Sequence, residues 1–382
     1  MFHDILKPSL VTPLPDAIEK SASVYGKTAI YGVQQNVNLS DCKLAIVGVC
    51  ESRNSSNSQA SKAPDEIRKF LYSLSGHPIS SEIVDLGNIS ETSSPASTYA
   101  ALKIVVEQLA EKGICVIVLG GTQELTLPIF QVVAERQSPI TISIIDSKID
   151  YEPNSTDFSP SSFVNRLLSE DKGKLYCINH IAHQSYLTDQ RASEILEKRN
   201  HDVYRLGSIR NAMTEVEPAL RSSHIVSFDM GSIRQSDYPL APSPNGLYAE
   251  EACLLSRFAG LSGGVKAFGL FNLNTNGDSN AMGSHLAAQI VWHFIEGFFA
   301  RKGKAADPTL GRVKKFYVKS PIPNVNMVFL KNISTQTWWI EVPIAKGDDS
   351  KNTLLACSQN DYKMATKGDV PDRWLRAIRR VT

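Results

Sequence analysis

Three acidic residues follow apolar runs at places where a parallel sheet would bring them together. The run Ile140–Ile145 leads directly into Asp146 and then Asp150, and the run His224–Phe228 leads into Asp229. Functional groups of parallel α/β sheets gather in the loops after the carboxyl ends of the strands, so we expect these three side chains, the acidic triad, to lie close together. Their carboxylates are oxygen ligands suited to one Mg²⁺, Mn²⁺ or Ca²⁺ ion.

Residues near the triad leave its role open. Gln123 follows the run Ile114–Leu119 and could add an amide oxygen to a metal site, although hydrogen bonding within its loop is the simpler role. Lys148 lies inside the loop of the second apolar run, and its ammonium would compete with any cation. We therefore weigh a single-ion site against a salt-bridge cluster of the triad with Lys148 and Arg234, and we favour the cluster. Accordingly, we expect no cofactor, or at most one divalent ion.

Two histidines offer the other candidate chemistry. His180 and His183 follow the apolar run Lys174–Ile178 and could act as acid–base groups. No carboxylate partner stands beside them in the sequence, so we keep His183 only as a weak catalytic candidate and favour a merely polar role for both.

The elements that would position these residues alternate along the chain. Short apolar runs alternate with amphipathic stretches, which favours a mainly parallel sheet covered by helices on both faces. The strands that we predict are 43–49, 114–119, 140–145, 174–178, 202–206, 224–228 and 265–271, and the helices are 65–74, 98–111, 124–135, 188–199, 212–221, 250–259 and 286–300. Thr188 is the predicted N-cap of its helix, and the polar segment 52–61 is predicted to be a flexible, solvated loop.

The organisation changes near residue 301. We assign residues 1–300 to one α/β domain and 301–382 to a C-terminal extension. The extension begins with a basic connector over 301–319, continues with a β-hairpin formed by 324–330 and 338–343, and ends in a helix over 371–380.

The order of the three loops resembles the ureohydrolase superfamily of arginases, agmatinases and formimidoylglutamases. The pattern of that family is Gly-Gly-Asp-His, Asp-Ala-His-x-Asp and Ser-x-Asp-x-Asp; here stand Gly-Gly-Thr-Gln, Asp-Ser-Lys-Ile-Asp and Ser-Phe-Asp-Met-Gly. The similarity covers about residues 40–300 and is closest in pattern to formimidoylglutamase. It implies a three-layer α/β/α arginase-like fold, and the family is known for two manganese ions that generate a hydroxide.

Carried over residue by residue, the resemblance implies a degenerate metal site. The histidines of the first and second motifs are Gln123 and Lys148 here, and the second aspartate of the third motif is Gly231. The glutamate that holds the cationic substrate is Asn272. One metal position would keep the acidic triad and lose its imidazole. The other would lose both of its exclusive ligands, and we expect the ammonium of Lys148 to replace that ion.

Composition excludes several other classes of function. A net charge of +1 gives no reason to expect nucleic acid or an anionic membrane as a partner. No P-loop or dinucleotide-binding glycine motif follows a predicted strand. The N-terminus lacks the pattern of a signal peptide, and the six cysteines show no CxxC spacing, so we expect a cytoplasmic protein with reduced thiols.

Three functions remain open. We favour a catalytically inactive protein of this fold that acts as a binding or assembly component. The alternatives are a formimidoylglutamase-like hydrolase of linear amidine C–N bonds with a single metal ion, and a metal-independent sensor of a small molecule. We also expect homo-oligomerisation or a protein partner through the C-terminal extension, because tryptophan and arginine are common interface anchors; the candidate anchors are Trp338, Trp339, Trp374 and Arg376.

Overall fold

The computed structural model of the protein describes residues 4–16, 18–33, 38–153, 155, 158–278, 280–301, 312–322, 326–343 and 352–381. Within these residues the strands are β1 (Leu6–Lys7), β2 (Thr28–Ile30), β3 (Leu44–Val49), β4 (Ile83–Ile89), β5 (Cys115–Leu119), β6 (Ile140–Ile145), β7 (Leu175–His183), β8 (Asp202–Arg205), β9 (Ile225–Asp229), β10 (Ala267–Phe271), β11 (Val313–Lys319), β12 (Asn326–Asn332), β13 (Trp338–Pro343) and β14 (Asn352–Cys357).

The α-helices of the same residues are α1 (Val24–Lys27), α2 (Ala63–Leu71), α3 (Pro95–Glu111), α4 (Thr126–Arg136), α5 (Phe163–Ser169), α6 (Gln190–Lys198), α7 (Leu206–Asn211), α8 (Glu217–Arg221), α9 (Ala249–Leu261), α10 (Met282–Phe299), α11 (Gln359–Thr366) and α12 (Asp372–Val381). No helix among the described residues is both long enough and apolar enough to cross a membrane.

The first ten strands form one sheet in the described part of the chain. Its order is β1-β4-β3-β5-β10-β9-β6-β7-β8, and β2 also pairs with β4. Only the β1–β4 pair is antiparallel among these pairings. Strands β9 and β6 are neighbours, so the loops that follow them start from the same edge of the sheet. The pairing of β9 with β6 therefore brings the residues of the acidic triad together at this edge.

Helices cover both faces of this sheet. Successive side chains of a strand point to opposite faces, and in β3 the residues Leu44 and Ile46 join one hydrophobic core while Ala45 and Val47 join another. Residues of α2, α9 and α10 belong to the first core, and residues of α3 to α6 belong to the second. The predicted three-layer α/β/α architecture is therefore confirmed.

Local predictions fail where polar residues are paired inside the protein. Strand β4 was not predicted, because Asp85 and Asn88 interrupt its apolar run. Both accept hydrogen bonds from the fully buried guanidinium of Arg68, which reaches Asp85 Oδ2 at 2.7 Å and Asn88 Oδ1 at 2.6 Å. The predicted N-cap of α6 is also wrong: Asp189 accepts from the backbone N–H of Arg191, while the hydroxyl of Thr188 accepts from that of Ile149.

The C-terminal extension contains more regular structure than a hairpin and one helix. Strands β12 and β13 form the predicted hairpin, but β11 and β14 extend it into an antiparallel sheet of order β11-β12-β13-β14. Residues 313–319 of the predicted connector are therefore an edge strand; residues 302–311 lie outside the described part. The sequence hid β11 because lysines, which protect an exposed edge, alternate with the half-buried Phe316 and Val318.

The predicted interface anchors contact their own chain. Trp338, Trp339 and Trp374 are 6%, 7% and 1% exposed, so their rings are buried within the protein and not presented to a partner. The guanidinium of Arg376 pairs with Asp202 of β8. Burial of the three rings argues against their role as anchors, while homo-oligomerisation or a protein partner through the C-terminal extension stays a prediction.

Candidate functional site

The acidic triad assembles at the edge where β6 and β9 end. Asp146 directly follows β6, Asp229 is the last residue of β9, and Asp150 lies on the loop after Asp146. One carboxylate oxygen from each of the three residues lies within 4.8 Å of the others. The two loops are joined by the hydroxyl of Ser147, which donates to the carbonyl of Gly231 at 3.3 Å.

Burial and mutual repulsion perturb all three carboxyl groups. Burial, followed by the charges of Asp229 and Asp150, holds the pKa of Asp146 well above its ordinary value. Burial and the charge of Asp229 raise the pKa of Asp150 to about 8, although Lys148 lowers it in part. Burial raises the pKa of Asp229 to about 6, against the hydrogen bonds that it accepts from Asn272 and Gly231. The triad is therefore a cluster of carboxylates that lacks enough positive charge.

Lys148 lies at the rim of this cluster. Its side chain is 47% exposed, and its Nζ atom is 3.8 Å from Asp150 Oδ1. No ion pair joins it to Asp146 or Asp229 in the described part of the protein. Arg234 pairs with Asp237 at 2.9 Å and stacks over Tyr248 instead of joining the triad. Of the salt-bridge cluster that we favoured, the structure forms only the Lys148–Asp150 pair. Among the described residues, the ammonium makes no ion pair with Asp146 or Asp229.

Gln123 is fully buried and is hydrogen-bonded to β9. It begins a 3₁₀ turn after β5, and its Nε2 donates to Ser227 Oγ at 3.1 Å. Ser227 and Asp229 point to the same side of β9, because they are two residues apart in a strand. The Oε1 atom of Gln123 is buried and has no hydrogen-bond partner among the described residues. An unsatisfied buried acceptor is costly, and this oxygen is a candidate ligand for a cation.

Two asparagines from the loops after β10 and β3 complete the site. Asn272 follows β10 and donates through Nδ2 to Asp229 Oδ2 at 2.5 Å. Asn57 donates through Nδ2 to the carbonyl of Asn272 at 3.1 Å. Sequence reasoning missed Asn57, because we took segment 52–61 for a solvated loop; it contains a 3₁₀ helix over Ser58–Lys62 and reaches the pocket. The sequence signal that could have indicated this role is that segment 52–61 is rich in Ser and Asn.

The histidines lie inside the sheet. His180 and His183 are part of β7, which is longer than predicted, and they are 0% and 3% exposed. His180 Nε2 is 3.1 Å from the carbonyl oxygen of Lys148 and so helps to fix that loop. Burial and the neighbouring His183 lower the pKa of His180 to about 3, and burial also lowers the pKa of His183. Both rings are neutral near pH 7, and neither lines the pocket.

The triad forms part of the wall of a pocket with a volume of about 310 Å³. That volume is at the lower end of the range for small-molecule sites. The pocket is lined mainly by carboxylate, amide and hydroxyl groups, together with Lys148 and a few apolar residues: Ser55, Asn57, Asp146, Ser147, Lys148, Asp150, Pro160, Ser161, Asp229, Gly231, Tyr238, Leu240, Pro242, Asn272 and Asn274.

One divalent cation fits these residues and a second does not. Ligand oxygens that each lie about 2.2–2.5 Å from one ion can be up to about 5 Å apart, which matches the spacing of the triad. At the second position of the family, an ammonium cannot ligate a cation and Gly231 offers no side chain. A Cβ atom on Gly231 would also lie 3.0 Å from Asp229 Oδ1 and 3.4 Å from the ring of Pro242.

The raised pKa values predict how the stability of the metal-free protein depends on pH. A carboxyl group whose pKa is higher in the folded state stabilises the protein as pH falls through that pKa. Because the pKa of Asp150 is about 8, lowering the pH from 9 to 7 in the presence of a chelator should add about 1 kcal/mol to the free energy of unfolding. Urea denaturation at both pH values measures this change in the free energy of unfolding, and Asp150→Asn should remove the part that comes from Asp150. A stability that is identical at both pH values would contradict the prediction.

Comparison with known proteins identifies the family. Residues 42–296 match the family model of the arginase family. Formimidoylglutamase of Bacillus subtilis is 24% identical over 276 residues, which cover 66% of this chain and 86% of that protein. Its crystal structure superposes with a TM-score of 0.65 at 19% identity, covering 78% of this chain and 98% of the other. A Trypanosoma cruzi formiminoglutamase structure with Mn²⁺ superposes with a TM-score of 0.63 at 20% identity, covering 70% and 97%. This protein therefore belongs to the arginase family.

Proposed function

We propose that this arginase-family protein holds one divalent cation at the acidic triad and binds a small polar molecule beside it, without two-metal hydrolysis. The main support for this proposal is the geometry of the triad. Its three carboxylates each offer an oxygen within 4.8 Å of the others, and Lys148, which lines the same pocket, forms an ion pair among the described residues only with Asp150, at 3.8 Å. Carboxylates that close repel by about 4 kcal/mol per pair at an effective dielectric constant near 20. A cation removes that repulsion.

The rest of the pocket supports binding of a polar molecule. A bound divalent cation supplies positive charge and Lewis acidity at the triad. Around it, Ser55, Ser161, Tyr238 and Asn274 are among the residues that line the cavity, and polar groups in a pocket fix the orientation of a ligand by hydrogen bonds. The Oε1 atom of Gln123, which is buried and has no hydrogen-bond partner among the described residues, is a candidate for a further oxygen ligand.

Two features argue against the usual hydrolysis. The second metal position carries Lys148 and Gly231 where the family has ligands, so a hydroxide shared by two ions has no support. No histidine stands among the described residues that line the pocket. His180 faces the carbonyl of Lys148 and is neutral. The described pocket thus lacks an imidazole that could transfer a proton.

The proposal predicts metal binding without turnover. With Mn²⁺ present, the protein should release no formamide, urea or ammonia from formiminoglutamate, arginine or agmatine above the rate in buffer. Coupled colorimetric assays measure these products, and the formimidoylglutamase of Bacillus subtilis serves as the positive control. Product release that requires Mn²⁺ and disappears in Asp146→Asn would overturn the proposal.

A second candidate is a formimidoylglutamase-like hydrolase that uses a single cation. It is favoured by the complete triad and by relatives that are named formimidoylglutamases. In that case Tyr238 or Lys148, both of which line the pocket, would have to carry the proton. The same assay separates the two candidates, because only the second predicts Mn²⁺-dependent release of formamide.

A further inference from the structure

Few charged groups line the described part of the pocket. Among the described residues that line it, the charged groups are the three carboxylates of the triad and the ammonium of Lys148. Asn57, Asn272 and Asn274 contribute neutral amides. Without a cation, and with all three carboxylates ionised, the lining carries a formal charge of −2, from three carboxylates and one ammonium. With one divalent cation the formal charges cancel, because three negative charges face two positive charges of the ion and one of the lysine.

A cationic ligand then meets no carboxylate that is free to bind it. This step rests on the proposed function, in which the triad is occupied by the cation. The position at which the family presents a carboxylate to its substrate is Asn272, whose amide nitrogen already donates to Asp229 Oδ2 at 2.5 Å. The pocket has therefore lost an anionic group for recognition, while Lys148 has added a cationic one.

Lys148 is available to bind an anion. Its Nζ atom lies 3.8 Å from Asp150 Oδ1, which is too long for a hydrogen bond. The side chain is 47% exposed, and an ammonium has three donors. A cation on the triad would also weaken the attraction between Lys148 and Asp150. The loop that carries Lys148 is fixed, since its backbone N–H donates to Asp146 Oδ1 at 3.1 Å and its carbonyl faces His180.

We propose that Lys148 determines the specificity of the pocket for a small carboxylate, whose anionic oxygens bind the ammonium beside the cation on the triad. The chemical class is a carboxylate of about amino-acid size, as the volume of about 310 Å³ indicates. Lys148, which stands at the sequence position of a metal ligand of the family, thus contributes a positive charge at the rim of the pocket for recognition. Binding of the cation and binding of the carboxylate are coupled, and each tightens the other.

The experiment compares three probes of similar size but different charge. N-acetylglycine, its neutral amide N-acetylglycinamide, and the cation agmatine are titrated into the protein by calorimetry with Mn²⁺, and then with a chelator. We expect N-acetylglycine to bind about 10- to 100-fold more tightly than its amide in Mn²⁺, the effect of one charge-assisted hydrogen bond. In chelator this preference should disappear. Agmatine binding more tightly than N-acetylglycine in Mn²⁺, or equal binding of the acid and its amide, would overturn the inference.

Variants of Lys148 test whether this residue is responsible for the preference for the carboxylate. Lys148→Gln should lose about 10-fold or more in affinity for N-acetylglycine while still binding one Mn²⁺, and Lys148→Arg should keep most of the affinity. Lys367→Gln changes an exposed lysine of the extension and is the matched control. If Mn²⁺ binds but Lys148→Gln behaves as the control does, the inference fails alone. If no Mn²⁺ binds to the wild-type protein, the proposed function and the inference fail together.

Discussion

Asp146→Asn is expected to abolish a Mn²⁺ site that holds one ion per chain in the wild-type protein. Asp146 is 3% exposed, and one of its carboxylate oxygens lies within 4.8 Å of oxygens of both other carboxylates of the triad. A unit charge at about 4 Å contributes about 4 kcal/mol at an effective dielectric constant near 20, so losing the carboxylate should weaken Mn²⁺ binding by at least about 100-fold. Isothermal titration calorimetry gives both the affinity and the stoichiometry.

The control for this measurement is a carboxylate far from the pocket. Asp369 lies in the exposed segment after α11, and Asp369→Asn makes the same change of charge without touching the triad. It should bind Mn²⁺ as the wild-type protein does. Two equivalents of Mn²⁺ per wild-type chain would show that the second position is still functional despite Lys148 and Gly231. Unchanged affinity in Asp146→Asn would show that the triad is not the site.

The sequence could predict the triad because strand ends in a parallel sheet meet at one edge. Asp146 and Asp229 each follow a buried apolar run, so their neighbourhood depends only on the pairing of two strands. The sequence could not predict where Lys148 points. A lysine has a long side chain with many rotamers, and its preference for the rim or the interior depends on the free energy of desolvating its charge. The structure places it at the rim, 47% exposed.

Contacts between distant segments of the chain could not be predicted from the sequence either. Asn57 reaches Asn272 across 215 positions of the chain, and no local pattern signals that contact. In the extension, the sequence contains tryptophans and arginines, which are equally typical of an exposed interface and of an internal one. In the structure these tryptophans form an internal interface, since Arg221 donates to the carbonyl oxygens of Trp338 and Cys357 and stacks over Trp339.

The largest effect on stability is expected where the extension meets the edge of the main sheet. Asp202 begins the edge strand β8 and is 5% exposed. Two arginines of α12 pair with it: Arg376, and Arg380 at 2.9 Å. Arg380 also donates to the carbonyl of Asn200 at 2.7 Å. Burial would raise the pKa of Asp202, but the charges of Arg380 and Arg376 outweigh it, so that the pKa lies below its ordinary value.

Arg380→Gln should therefore lower the free energy of unfolding by about 3 kcal/mol, the lower end for breaking a buried ion pair, because Arg376 still pairs with Asp202. Urea denaturation measures the loss, and hydrogen exchange of residues 372–381 shows whether α12 detaches first. Arg379→Gln is the matched control, since its side chain is exposed on the same helix. An equal effect of the two variants would contradict the assignment.

The pH dependence separates this ion pair from simple loss of packing. A carboxyl group whose pKa is depressed in the folded state stabilises the protein above its unfolded pKa, and that stability is lost as pH falls through the folded pKa. The difference between the wild-type protein and Arg380→Gln should thus be complete above about pH 4 and should shrink in more acidic solution, as Asp202 becomes protonated. Lost packing alone would leave a difference that does not change with pH, so denaturation curves at pH 7 and near pH 3 decide between the two causes.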